Sequence, residues 1–117
     1  MDIDYDADLQ DKLSKNQHLW EMLAPHADSG AEFNLDYFFY TDSREAAACL
    51  AAALNELGYP AATEKQGSIL RRMWLVKGTT DAMSLTRAGV DHWTHQMVGI
   101  ARKCGAHFDG WGAALPS

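Results

Sequence analysis

Two residues near the carboxyl end, His107 and Asp109, are the first whose types and spacing suit chemistry. Two positions apart on a strand they point the same way, so they can form a His–carboxylate pair of the kind used for proton transfer. A second candidate is the pair His92 and His95 beside Asp91, three apart on a helical segment, which can share a metal with a third ligand such as His107 or Asp109. A third is Cys104, close to His107 in sequence.

Each candidate meets a plainer reading. His107 and Asp109 have no visible nucleophile to activate, and polar residues on the solvent side of a half-buried strand are the ordinary expectation. His92 lies opposite the apolar stripe of its helix, where polar residues are solvated. Cys104 falls on that stripe, where a thiol is inert packing. The chain has no nucleophile elbow and no glycine-rich phosphate loop; Lys77-Gly78-Thr79-Thr80 has its glycine after the lysine. No catalytic residue, metal or cofactor is expected. The competing reading is a small enzyme or ligand-binding domain around His107, Asp109 and Trp111.

The elements that position these residues follow from periodicity. Leu9, Leu13, Trp20 and Leu23 recur at helical steps, giving an amino-terminal helix within residues 1–25 that Pro25 ends. Residues 26–32, with Ser29 and Gly30, read as a linker that detaches it. Phe33 to Tyr40 is an aromatic strand with Phe33, Leu35, Tyr37 and Phe39 on one side and Asp36, Phe38 and Tyr40 on the other. An alanine-rich helix capped by Asp42 or Ser43 follows, with Leu50, Leu54 and Leu57 on one face and Gly58 past its end. Tyr59 to Lys77 reads as a hairpin turning at Gln66-Gly67, with Leu70, Trp74 and Val76 inward and Arg71, Met73 and Lys77 outward. Ser84 caps a long helix striped by Val90, Trp93, Met97, Ile100 and Cys104, and a last strand begins at Ala106.

This order is a helix followed by β-α-β-β-α-β, an α+β chain whose expected arrangement is the ferredoxin-like split βαβ sandwich over residues 33–115. The first and third strands then lie centrally and the last at an edge. With both crossover helices on one side, Phe38, Tyr40, Met73 and Trp111 share the open face beside Asp36, Asp109 and Arg71. Such a face is too apolar to stay wet, so the first helix, a second copy forming a homodimer, or a partner protein covers it.

Composition narrows the partner. Hydrophobic residues at 47% and charged residues at 22% describe a folded chain, and 117 residues suit one domain. The net charge of −6 argues against phosphate backbones and anionic membranes and favours a basic protein partner. The RNP1 pattern of RNA-binding sheets is absent. No leader or spanning segment is evident, and Cys49 and Cys104 fit no Cys-x-x-Cys pattern. They read as reduced packing residues of a cytoplasmic protein, a bridge between them being the lesser alternative.

The segment Phe108-Asp109-Gly110-Trp111-Gly112 resembles the closing strand of the RraB family, regulators that bind and inhibit ribonuclease E. Asp36-Tyr37-Phe38-Phe39-Tyr40 and the helix ending Leu57-Gly58-Tyr59 are similar to that family's first strand and helix. The resemblance implies a non-catalytic regulator of RNA turnover that binds protein, with ribonuclease E the implied target. Partner-binding residues are expected at Asp36, Phe38, Tyr40, Asp109 and Trp111.

Overall fold

A computed structural model describes residues 2–68 and 71–115 of the chain. Helix α1 spans Tyr5–Asp28, strand β1 Leu35–Thr41, helix α2 Arg44–Glu56, strands β2 and β3 Ala62–Ser68 and Arg71–Thr79, helix α3 Arg87–Cys104 and strand β4 His107–Ala113. The strands form one antiparallel sheet in the order β2-β3-β1-β4, so the first and third strands are central and the last is at an edge. The chain is thus α+β, with three helices and a four-stranded antiparallel sheet.

Strand β1 sets the layers. Its burial alternates strictly, with Leu35, Tyr37, Phe39 and Thr41 fully enclosed and Asp36, Phe38 and Tyr40 half-buried. The enclosed apolar side joins Leu50 and Leu54 of α2, Met97 and Ala101 of α3, Val76 of β3 and Phe108 of β4 in one core. Burying each such side chain contributes about 1.5–3 kcal/mol, which makes a one-residue slip of β1 costly. Helix α2 starts where Ser43 accepts the Ala46 N–H at 3.2 Å and ends before Gly58, whose φ of +81° suits glycine. Helix α3 is closed by Gly105 in the left-handed conformation.

Several boundaries differ from the sequence reading. Helix α1 runs through Pro25 to Asp28, because a proline in the last turn removes only one hydrogen bond near an end that frays in any case. The α3 cap is Thr86, accepting the Gly89 N–H at 3.0 Å, and not Ser84. Gln66 and Gly67 are not the turn: they pair with Met73 and Arg72, Gly67 carrying its turn-like φ of +93° within the ladder. Pro60 precedes β2, which is an edge strand. Leu57 is exposed at the end of α2. Leu70 and the side chain of Arg71 lie outside the described residues.

The two cysteines are joined. Cys49 of α2 and Cys104 at the end of α3 form a disulfide with a Cα–Cα distance of 5.6 Å. They were expected as separate reduced thiols; packing of α2 on α3 brings two positions 55 apart in sequence within bridging range.

Helix α1 is docked rather than detached. Its inward stripe runs Tyr5, Leu9, Lys12, Asn16, Trp20 and Leu23, with Lys12 and Asn16 more buried than the leucines around them except Leu23. The Tyr5 hydroxyl donates to the Ala106 carbonyl at 2.8 Å, and Leu23 enters the main core. The helix packs along α3 and across the β4 edge.

Candidate functional site

The site begins with an irregularity in β4. Phe39 pairs with Phe108 but Phe38 pairs with Gly110, so Asp109 is an extra residue without a partner in the ladder. This bulge reverses the alternation that follows it. Gly110 takes a φ of +151°, a backbone region open chiefly to glycine. Phe108 and Trp111 therefore face the same side, toward the helices, and Trp111 is 9% exposed.

That placement corrects the expected role of Trp111. Its ring meets Trp93 edge-on at 6.1 Å, and Trp93 in turn meets Phe108 at 6.2 Å. Its Nε1–H donates to the Asn16 side-chain oxygen at 2.8 Å, while Asn16 Nδ2 donates to Asp91 at 3.0 Å and to Thr94 at 2.8 Å. Trp111 thus clamps α1 and α3 to the sheet edge and does not sit on the open face. Gly110 and Gly112, expected beneath the helices, instead oppose Phe38 and Asp36, and a Cβ at either would meet nothing within 4 Å.

The open face brings together the other expected residues except Asp109. Directly paired positions share a side, which places Asp36 with Thr79, Phe38 with Lys77, and Tyr40 with Leu75 and His107. Glu64 lies opposite Leu75, and Gln66 opposite Met73. Phe38, Tyr40 and Met73 are half-buried there, and Leu75 is nearly enclosed between them. The charged groups on the face are paired locally: Lys77 Nζ lies 2.9 Å from Glu64, and Thr79 donates to Asp36 at 2.6 Å. Asp109 is exposed at the bulge and lines an edge crevice with Lys12, Lys15 and Trp111.

His107 does not find its carboxylate in Asp109. Its Nε2 lies 3.0 Å from Asp8 Oδ1, which also receives Lys12 Nζ at 3.0 Å. His107, Asp109 and Trp111 therefore stand in three settings: a contact with α1, an exposed bulge and a buried clamp. Around them, burial first and the Asp8 carboxylate second raise the Tyr5 phenol above its ordinary pKa. His92 and His95 are on the exposed side of α3. Among the described residues no group of three His, Cys, Asp or Glu side chains is placed to hold a metal ion.

Beside His107 the amino-terminal stretch approaches the open face. Residues between Asp2 and Asp8 form one wall, and Tyr40, Met73 and His107 the other, of a groove of about 620 Å³. This feature and the buried pair Lys12 and Asn16 escaped the sequence reading. The pair was visible in principle, since 9, 12, 16, 20 and 23 follow helical steps, but polar residue types masked the stripe. No described helix is long and apolar enough to cross a membrane.

Residues 14–113 match the family described as Regulator of ribonuclease activity B. That range takes in all four strands, α2, α3 and α1 from its tenth residue onward. No protein among the curated ones matches the chain.

Proposed function

The chain belongs to the regulator of ribonuclease activity B family, and on that premise we propose that it is a non-catalytic regulator that binds a basic segment of a ribonuclease. Ribonuclease E is the first target to test. The observation that carries the reading is the half-buried strip of Phe38, Tyr40 and Met73 around Leu75 on the open face of an acidic chain. Apolar area of that kind favours a covering surface, and net charge −6 favours a cationic one over nucleic acid, membrane or a second equally acidic copy. Asp36, Phe38, Tyr40 and Asp109 are the contact residues in this reading, with Trp111 acting indirectly by fixing the edge strand.

We read the β2-β3-β1-β4 order, with α2 and α3 on one side, as a ferredoxin-like split βαβ sandwich over residues 33–115 to which α1 is added. The chain works in the cytoplasm in this proposal, where it modulates RNA turnover through its protein target. The test is a cleavage assay with purified ribonuclease E and an RNA substrate. Added chain should slow cleavage in a dose-dependent manner, less so at high salt, and the double variant Asp36→Asn, Phe38→Ala should lose the effect while keeping its fold. Unchanged cleavage at saturating chain, with no complex by light scattering, rejects the proposal.

A further inference from the structure

We infer that the groove between the amino-terminal stretch and the open sheet receives a lysine or arginine side chain of a protein partner. The inference rests on the regulatory reading above and adds to it the place and chemistry of one contact. Its wall of residues 2–8 precedes the range that matches the family, so this contact belongs to a part of the chain that the family match does not cover.

The groove combines two features that a long cationic side chain needs together. Ile3, Met73 and the ring of Tyr40 supply apolar surface, and Asp2, Asp4 and Asp8 supply three carboxylates against His107 as the one lining group able to carry positive charge. The methylene stem of Lys or Arg is covered by the first set while its charged head reaches the second. The Tyr40 ring adds a face that attracts a cation. At about 620 Å³ the space is within the range of sites that enclose a small ligand or a large side chain.

The acidic groups differ in how far they are already engaged. Asp8 holds Lys12 and His107, and Asp4 accepts the Ala7 N–H at 3.0 Å as the α1 cap with its second oxygen free of printed partners among the described residues. Asp2 is exposed and has no partner among the described residues. Asp2 and Asp4 are thus the groups left to meet an incoming charge. An anionic ligand is disfavoured by the same three carboxylates, and a second copy of the chain brings a further −6 toward them.

Fluorescence anisotropy on the full chain, carrying no amino-terminal tag, tests this with a labelled peptide of alternating Arg and Leu and a control peptide with Gln in place of Arg. The double variant Asp2→Asn, Asp4→Asn keeps a capping side chain at position 4, and circular dichroism verifies that α1 is intact. Binding of the Arg peptide should weaken about tenfold in that variant and in Met73→Lys, change less than about twofold in Asp36→Asn, Phe38→Ala, and be absent for the Gln peptide. If the loss instead follows Asp36 and Phe38 alone, the groove is overturned and the open-face reading stands. If the Gln peptide binds equally, or the Arg peptide binds nowhere, the groove is likewise overturned, and the ribonuclease assay reports separately on the regulatory reading.

Discussion

Tyr37 shows how a single residue ties the sheet to the loop before β2. Its ring is fully enclosed on the helix side of β1, and its hydroxyl donates to the Pro60 carbonyl. Burial, with Tyr59 nearby as the lesser cause, pushes its pKa from 10.0 up to about 12. The folded chain therefore keeps a proton that the unfolded chain releases, so Tyr37 stabilises the fold fully below pH 10 and progressively less up to about pH 12. Denaturant midpoints measured at steps through this window should fall with rising pH more steeply for the natural chain than for Tyr37→Phe. Parallel curves would contradict the assignment. The inward side of Tyr37 was legible in sequence, since β1 alternates without interruption. Trp111 was not legible: two-residue alternation from Phe108 sends it outward, and only the bulge at Asp109 turns it in. Glycine at 110 was the available hint, because strand glycines often mark bulges.

At the scale of elements, the docking of α1 depends on Asn16 more than on its leucines. Asn16 serves Trp111, Asp91 and Thr94 at once, joining α1 to β4 and α3. Asn16→Ala leaves the buried Trp111 N–H without its acceptor, a loss on the order of 2 kcal/mol. Thermal melts should register that loss, and amides of α1 should exchange faster while those of β1 and β3 keep their protection. Equal protection throughout would mean that apolar packing alone holds the helix. All seven elements and their order were readable from periodicity, but their ends were less so. Pro25, Ser84 and Gln66-Gly67 each carry the composition of a boundary, and in each case neighbouring packing or a better-placed cap moved it.

For the whole molecule, the Cys49–Cys104 bridge closes a span of 55 residues and links the two helices that cover the sheet. By loop-closure entropy it stabilises the fold by up to about 4 kcal/mol, chiefly by restricting the unfolded chain. Thiol reductant should lower the melting temperature of the natural chain toward that of Cys49→Ser, which reductant leaves unchanged; a melt insensitive to reductant would show that the bridge contributes nothing. The open face, the acidic groove and the salt-dependent binding expected of them belong to this scale too, since no one element contains them. What the sequence by itself determined is what local geometry encodes: seven elements, the buried side of β1, the apolar faces of α2 and α3, an acidic surface and the closing segment shared with the family. Tertiary structure alone decided that Trp111 meets Asn16 across 95 residues, that His107 meets Asp8 across 99, and that the cysteines join. The physical reason is range: steps of 2 and 3.6 residues are set by the backbone of each segment, whereas these partnerships form only where assembled layers bring distant side chains together.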